Sequence, residues 1–243
     1  MKRIVIVGAS SGLGLAAARM WAARGFRLGL AARRTDTLER LAAEYPGQIE
    51  YEAIDITARE AADRLHALAV RLGGMDIYFH VAGIGYDNPS MDPEREADII
   101  TTNAAAFARM TSAAYDYFRD SGTQGQIAAV TSVAGTTGIG DMSAYSASKR
   151  CAQTYLVGLE QLARSNGVRV AFTDVRPGWV RTPLLHDGRK YMMEMTPEYA
   201  VRRIVRAVDR RRRVAYVDWR WGVLCRIWRL VPRCLWVRLK INI

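Results

Sequence analysis

Cysteine is scarce in this sequence: three residues in 243 (Cys151, Cys225, Cys234), with no Cys-x-x-Cys spacing. Such a set excludes a disulfide framework and a cysteine-rich zinc site, and it suits a reducing compartment. Histidine is equally rare (His66, His80, His186), and no His/Asp/Glu/Cys cluster has ligand spacing, so no metal is expected. No apolar run approaches the ~20 residues that cross a bilayer. The chain opens Met1-Lys2-Arg3 and enters Ile4-Val5-Ile6-Val7, a run too short for a secretion signal. These absences point to a cytoplasmic protein. No repeat and no low-complexity linker divides the chain.

What is present is ordinary for one compact domain: 50% hydrophobic, 24% charged and 9% aromatic residues. The net charge of +11 is not ordinary, and its placement matters more than its size. Residues 201–243 hold 13 of the 35 Lys and Arg and only two acids, Asp209 and Asp218. The body, 1–200, carries 22 basic and 22 acidic residues. A neutral body and a basic tail therefore pose separate questions. We divide the chain accordingly into 1–217 and a basic, Trp-rich extension, 218–243.

The body alternates short apolar runs with helical patterns. The runs are Ile4–Val7, Phe26–Ala32, Ile49–Ile54, Met75–Ala82, Gln126–Thr131, Val168–Val175 and Val214–Val217; most are continuous, as in strands covered on both faces. Between them lie Leu13–Arg24, Thr35–Tyr45, Arg59–Leu72, Pro93–Arg119, Ser143–Asn166 and Pro197–Arg211 with helical spacing. The alternation predicts an α/β fold: a single doubly wound parallel sheet, Rossmann-like, with helices on both faces. Ligands of such sheets bind beyond the carboxyl ends of the strands. The first such loop is Gly8-Ala9-Ser10-Ser11-Gly12-Leu13-Gly14. Its glycines permit a tight turn and close approach of a pyrophosphate, which the following helix N-terminus favours.

The spacing Gly-x-x-x-Gly-x-Gly resembles that of the short-chain dehydrogenase/reductase family. So do Tyr145-Ser146-Ala147-Ser148-Lys149, matching Tyr-x-x-x-Lys, and Ser132 thirteen residues earlier. Asn103 matches the asparagine of the family's fourth helix, Asp55-Ile56 the acid that meets adenine, and Pro177-Gly178-Trp179-Val180-Arg181-Thr182 the Pro-Gly-x-Val-x-Thr segment. The match runs from residue 4 to about 217. The family's Asn-Asn-Ala-Gly is replaced by His80-Val81-Ala82-Gly83, which keeps the small pair Ala82-Gly83 and leaves His80 to brace the sheet.

The residue types fit the chemistry. A phenol titrates near pH ~10, too high for proton exchange at neutral pH. A lysine at i+4 shares its helical face and should lower its pKa. Tyr145 is then acid or base, and Ser132 can donate to the substrate oxygen where charge develops. The resemblance further implies that Lys149 binds the nicotinamide ribose and that Asn103 holds a water beside it. Arg33 and Arg34 follow the second strand, where a carboxylate would select NAD; guanidinium groups there predict NADP(H), with Ser10 or Arg34 assisting Arg33. Ser11, Leu13, Val180 and Thr182 complete the expected cofactor contacts.

The expected reaction interconverts a carbonyl and an alcohol on a lipophilic small molecule. The competing reading is a non-catalytic NADP(H)-binding sensor or scaffold; an extended-type epimerase would need a larger C-terminal domain. Residues 184–195, with Tyr191, Met192, Met193 and Met195, either line an adaptable pocket or form a packed helix; Tyr86, Ile139 and Met142 are further wall candidates. In the tail, Trp221, Leu224, Trp228, Val231 and Leu235 share one helical face, Arg226, Arg229 and Arg233 the other, and Pro232 kinks or restarts the helix. That pattern suits an anionic membrane surface touched by 219–240 from the cytoplasmic side. It equally suits a helix that packs on the body, closes the pocket or joins subunits. Nucleic-acid binding has no supporting motif. The resemblance implies a homodimer or homotetramer.

Overall fold

The structure is a computed structural model and describes residues 1–182 and 191–239. In chain order the elements are β1 (Arg3–Val7), α1 (Gly12–Ala22), β2 (Arg27–Ala32), α2 (Asp36–Glu44), β3 (Ile49–Ala53), α3 (Ala61–Arg71) and β4 (Ile77–His80). Then come α4 (Pro93–Ile100), a π-helical turn (Thr101–Ala106), α5 (Phe107–Ser121), β5 (Gly125–Val130), α6 (Ser143–Ser165) and β6 (Val170–Arg176). The chain closes with α7 (Pro197–Asp209), β7 (Val214–Tyr216), α8 (Trp219–Leu230) and the short α9 (Arg233–Trp236).

All strand pairings are parallel, in the order β3-β2-β1-β4-β5-β6-β7. The predicted doubly wound sheet is therefore the fold, and β1 and β4 flank the point where the strand order reverses. The continuous apolar runs have a simple cause. Ile4 and Ile6 face a layer with Trp21 of α1, Leu38 of α2 and Ile204 of α7. Val5 and Val7 face the opposite layer, with Leu68 of α3, Phe118 of α5 and Leu156 of α6. Both faces of each inner strand are thus dry, and no position is left for a polar alternation.

Three helices, α4, α7 and α8, start where the sequence supplies a capping side chain. Asp92 accepts from the Glu94 amide (3.0 Å) ahead of Pro93, Thr196 from the Tyr199 amide (3.3 Å) ahead of Pro197, and Asp218 from the Arg220 amide (2.9 Å) at the start of α8. Most element ends shift by one or two residues from expectation, and two of the differences bear on the site. The helix predicted over Pro93–Arg119 is interrupted by the π-turn, which is where Asn103 sits. The fourth strand ends at His80 rather than Ala82, because the amides of Val81 and Ala82 both turn onto the Val7 carbonyl (2.8 and 2.9 Å).

The tail is not one stripe. α8 ends before Pro232, Trp221 and Cys225 are fully buried beside Val133, and Trp228 packs against them. Leu235, expected on the same face, is instead 52% exposed. The proline restarts the chain in a new direction, so the helical register does not carry across it.

Candidate active site

A cavity of about 1020 Å³ opens at the carboxyl ends of the strands, over the switch point. One end is built from backbone. Gly8 has φ +94°, and a β-carbon there would lie 2.5 Å from the Ala82 amide nitrogen. At Gly14 it would lie 2.1 Å from the Gly8 carbonyl oxygen. Only glycine lets these chains approach so closely. Ser11 begins α1 without a side-chain cap, and no acid lies in the first turn, so the amides of that turn remain open to an anion. Gly8, Ser10, Ser11, Gly12, Leu13, Arg33, Arg34, Asp55, Ile56, Ala82 and Gly83 all line the cavity. Gly14 does not; it lies behind the loop.

Arg33 and Arg34 are exposed and form no ion pair among the described residues. Neighbouring arginines do pair, Arg19 with Glu44 and Arg64 with Glu52. The Asp55 carboxylate is held below the usual range by the Thr57 hydroxyl and amide (2.7 and 2.9 Å), with Arg33 adding a smaller effect. This end therefore offers free amides, a floor without side chains and two uncommitted positive charges. It fits a dinucleotide.

At the other end Ser132, Tyr145 and Lys149 share a wall. Ser132 is buried; its Oγ accepts from the Ala134 amide (3.1 Å), which leaves its own proton to donate. Its carbonyl accepts from Gln153 Nε2 (2.7 Å). Lys149 is one helical turn beyond Tyr145, with Nζ 5.6 Å from the ring centroid. Burial lowers the lysine pKa to about 8, opposed by the negative charge of Asp174. Among the described residues its one acceptor is the Val130 carbonyl at 3.5 Å, which leaves an ammonium with three donors nearly unsatisfied there. Asp174 is engaged elsewhere, with Arg176 (2.5 Å) and with Thr131 Oγ1 (2.5 Å).

The phenol of Tyr145 does not follow the sequence argument. Burial pushes it above its ordinary value, and the Ser132 hydroxyl pulls it back only in part. Desolvation outweighs the effect expected from Lys149, whose own charge is weakened by the same burial.

Asn103 lies outside the cavity lining. Its side chain is bonded in both directions to Ile84, Oδ1 accepting from the amide (2.9 Å) and Nδ2 donating to the carbonyl (2.7 Å). A β-carbon on Gly83 would meet that Oδ1 at 2.9 Å, and one on Gly85 would meet the Tyr145 ring at 2.7 Å. Asn103 thus sets the path of the loop after β4 against the wall of Ser132, Tyr145 and Lys149. His80, expected to brace the sheet, bonds by its side chain within its own strand: Nδ1 is 2.7 Å from the Tyr78 hydroxyl, and burial, then Lys149, lowers its pKa to about 3.

Pro177, Gly178, Val180 and Thr182 line the cavity. Gly178 has a further use, since a β-carbon there would lie 2.1 Å from Trp221 Nε1. Tyr86, Ile139 and Met142 are wall residues as expected. Trp179, Tyr191, Trp221 and Trp228 complete the wall, with Trp179 stacked on Tyr191 at 4.3 Å. Sequence reasoning had not placed Trp179 in the site, although it occupies the variable position of the Pro-Gly-x-Val-x-Thr segment. Leu184, Leu185 and His186 lie outside the described residues. Among the described residues no group could hold a metal ion, and no helix is long and apolar enough to cross a membrane.

Fold and cradle define the class: a doubly wound α/β protein shaped to hold a dinucleotide. The family model for short chain dehydrogenases matches residues 2–192. An uncharacterized oxidoreductase of Mycobacterium tuberculosis is 33% identical, covering 96% of this chain and 95% of that one. A short-chain dehydrogenase from Burkholderia cenocepacia in complex with NADP superposes with a TM-score of 0.83 at 20% identity, covering 99% of each chain. A 3-ketoacyl-(acyl-carrier-protein) reductase from Brucella melitensis, complexed with NADH, has a TM-score of 0.77 at 22% identity, covering 89% of this chain and 96% of that one. This chain belongs to the short-chain dehydrogenase family and is an oxidoreductase.

Proposed function

We propose that the protein is an NADP(H)-dependent oxidoreductase interconverting a carbonyl and an alcohol on a lipophilic small molecule. The observation that carries the reading is one cavity with the glycine cradle at one end and Ser132, Tyr145 and Lys149 on the wall of the other. Bound NADP(H) supplies or accepts the hydride. Tyr145 gives its hydroxyl proton to the substrate oxygen in reduction and takes it back in oxidation. Ser132, its Oγ already accepting from Ala134, donates to the same oxygen as negative charge develops. Lys149 would hold the nicotinamide ribose hydroxyls, and its ammonium charge, on the same helical face as Tyr145, favours the phenolate. Asn103 is a positioning residue that holds the loop of Gly83 and Gly85.

NADP(H) rather than NAD(H) rests on this chain's own Arg33 and Arg34, because the structural relatives hold both cofactors. A 2′-phosphate would use guanidinium charge that has no partner among the described residues. The lipophilic class of substrate rests on the wall of Met142, Ile139 and the four aromatic residues. Assembly as a homodimer or homotetramer is supported by Ile100, Val157 and Leu162, exposed on α4 and α6. Residues 219–240 of the basic extension are proposed to touch an anionic membrane surface.

An NADPH-oxidation screen over aldehydes, ketones, steroids and sugars tests the reading. Tyr145→Phe should lower kcat by ~10²–10⁴-fold on any active substrate, with NADPH affinity unchanged. A variant as active as the parent would remove Tyr145 as the proton donor, and a parent that turns over none of these substrates would leave the sensor or scaffold reading in its place.

A further inference from the structure

α8 is apolar on two sides, and only one of them is used. Trp221, Cys225 and Trp228 face the body. Trp219, Val223, Ile227 and Leu230 recur three to four residues apart on the outer side, 69%, 43%, 53% and 81% exposed. Leu235, Val237 and Leu239 continue this exposure past Pro232. A monomer has no use for such a surface in water.

Beside it lies a second cavity, about 560 Å³, between the tail and the body. Its chemistry is unlike that of the first. Arg150 of α6, Arg229 of α8 and Arg233 of α9 converge on it, together with Trp228, Trp236 and Thr136. None of the three guanidinium groups has an ion pair or hydrogen bond among the described residues. Like charges gathered without counter-charge repel, so an anion placed among them is favoured. Thr136 closes the body side of the cavity; it is 8% exposed, and its buried hydroxyl faces the Cys225 thiol. Trp236 is fixed by its Nε1 bond to the Gly138 carbonyl (2.8 Å) and by Trp228 at 5.5 Å, so the walls are built. Twelve of the thirteen basic residues over 201–243 are arginine, the side chain that grips phosphate bidentately.

We propose that this second cavity binds the phosphate of an anionic phospholipid, while the outer side of α8 and the residues after Pro232 lie on the bilayer. The apolar rim decides among phosphate sources. A free phosphate or a nucleic acid would use the arginines but gives Ile227, Leu230 and Leu235 nothing to bury against; a lipid surface satisfies both. The face is the reverse of the one the sequence suggested, since the Trp221 stripe is spent on the body. The proposal deepens the membrane contact proposed above and is independent of the redox chemistry.

Flotation of the full chain tests it, on vesicles of phosphatidylcholine alone and mixed with phosphatidylglycerol. The parent should float only with phosphatidylglycerol, and less so at raised salt. Arg229→Gln with Arg233→Gln should cut the floating fraction by about tenfold. Leu230→Ser with Leu235→Ser should reduce it comparably, while all variants keep the parent's NADPH affinity by fluorescence titration. Equal flotation on neutral vesicles, or indifference to both pairs of substitutions, would overturn the proposal. So would loss of binding to inorganic phosphate in the arginine pair without any vesicle binding by the parent, which would assign the site to a soluble anion. Capture of single-stranded RNA in place of vesicles would assign it to nucleic acid. A parent that floats but binds no NADPH would remove the redox reading and leave this one standing.

Discussion

The two ends of the main cavity are made of different material. The dinucleotide end is backbone against backbone: Gly8 against Ala82, Gly14 against Gly8, the first turn of α1 left open. The substrate end is side chain against side chain, from segments as distant as Met142, Trp179, Tyr191 and Trp228. A backbone cradle tolerates one residue type at each tight contact, so it leaves a fixed spacing in the sequence. A wall of side chains tolerates any set that fills the volume, and it leaves none.

This contrast can be broken where each end meets its ligand. Arg33→Asp should invert the NADPH-to-NADH preference, a swing of ~100-fold or more in the ratio of kcat/KM values, because a charge-assisted contact becomes a repulsion. An unchanged ratio would remove Arg33 from the site. Trp228→Leu works at the opposite end. It should raise KM for the substrate by ~10-fold, the worth of a partly buried aromatic surface, and leave NADPH affinity within experimental error. Loss of both affinities together would show that the two ends are not separate.

His80 sharpens the comparison from beneath the floor. Its pKa is about 3 in the folded chain, against an ordinary value of 6.5. The unfolded chain therefore binds more protons between those values, and stability present above pH ~6.5 is lost as pH falls through the window. The slope approaches ~1.4 kcal/mol per pH unit. His80→Asn should flatten it in urea titrations run from pH 7 down to 4, and an unaltered slope would assign the acid sensitivity to other groups.

The sequence made the fold legible because both faces of each inner strand are covered, which turns strands into continuous apolar runs. The dinucleotide residues were legible through their glycines. Asn103 was legible by position, but its bonds to Ile84 were not, since they depend on a π-turn that no periodicity announces. The Tyr145–Lys149 spacing was plain, whereas the balance of burial against charge on that phenol was not, because desolvation is set by the whole surrounding fold. In the tail the apolar positions could be counted, yet which side faces inward is decided by the gap that Gly178 leaves for Trp221.

That gap has a consequence for the order in which the molecule matures. Residues up to Gly83 supply the glycine cradle, whereas Trp221, the indole beneath Gly178, lies 138 positions further along the chain. Trp179, Tyr191, Trp221 and Trp228 are thus all synthesised after the glycine cradle, so the substrate end of the cavity is completed last.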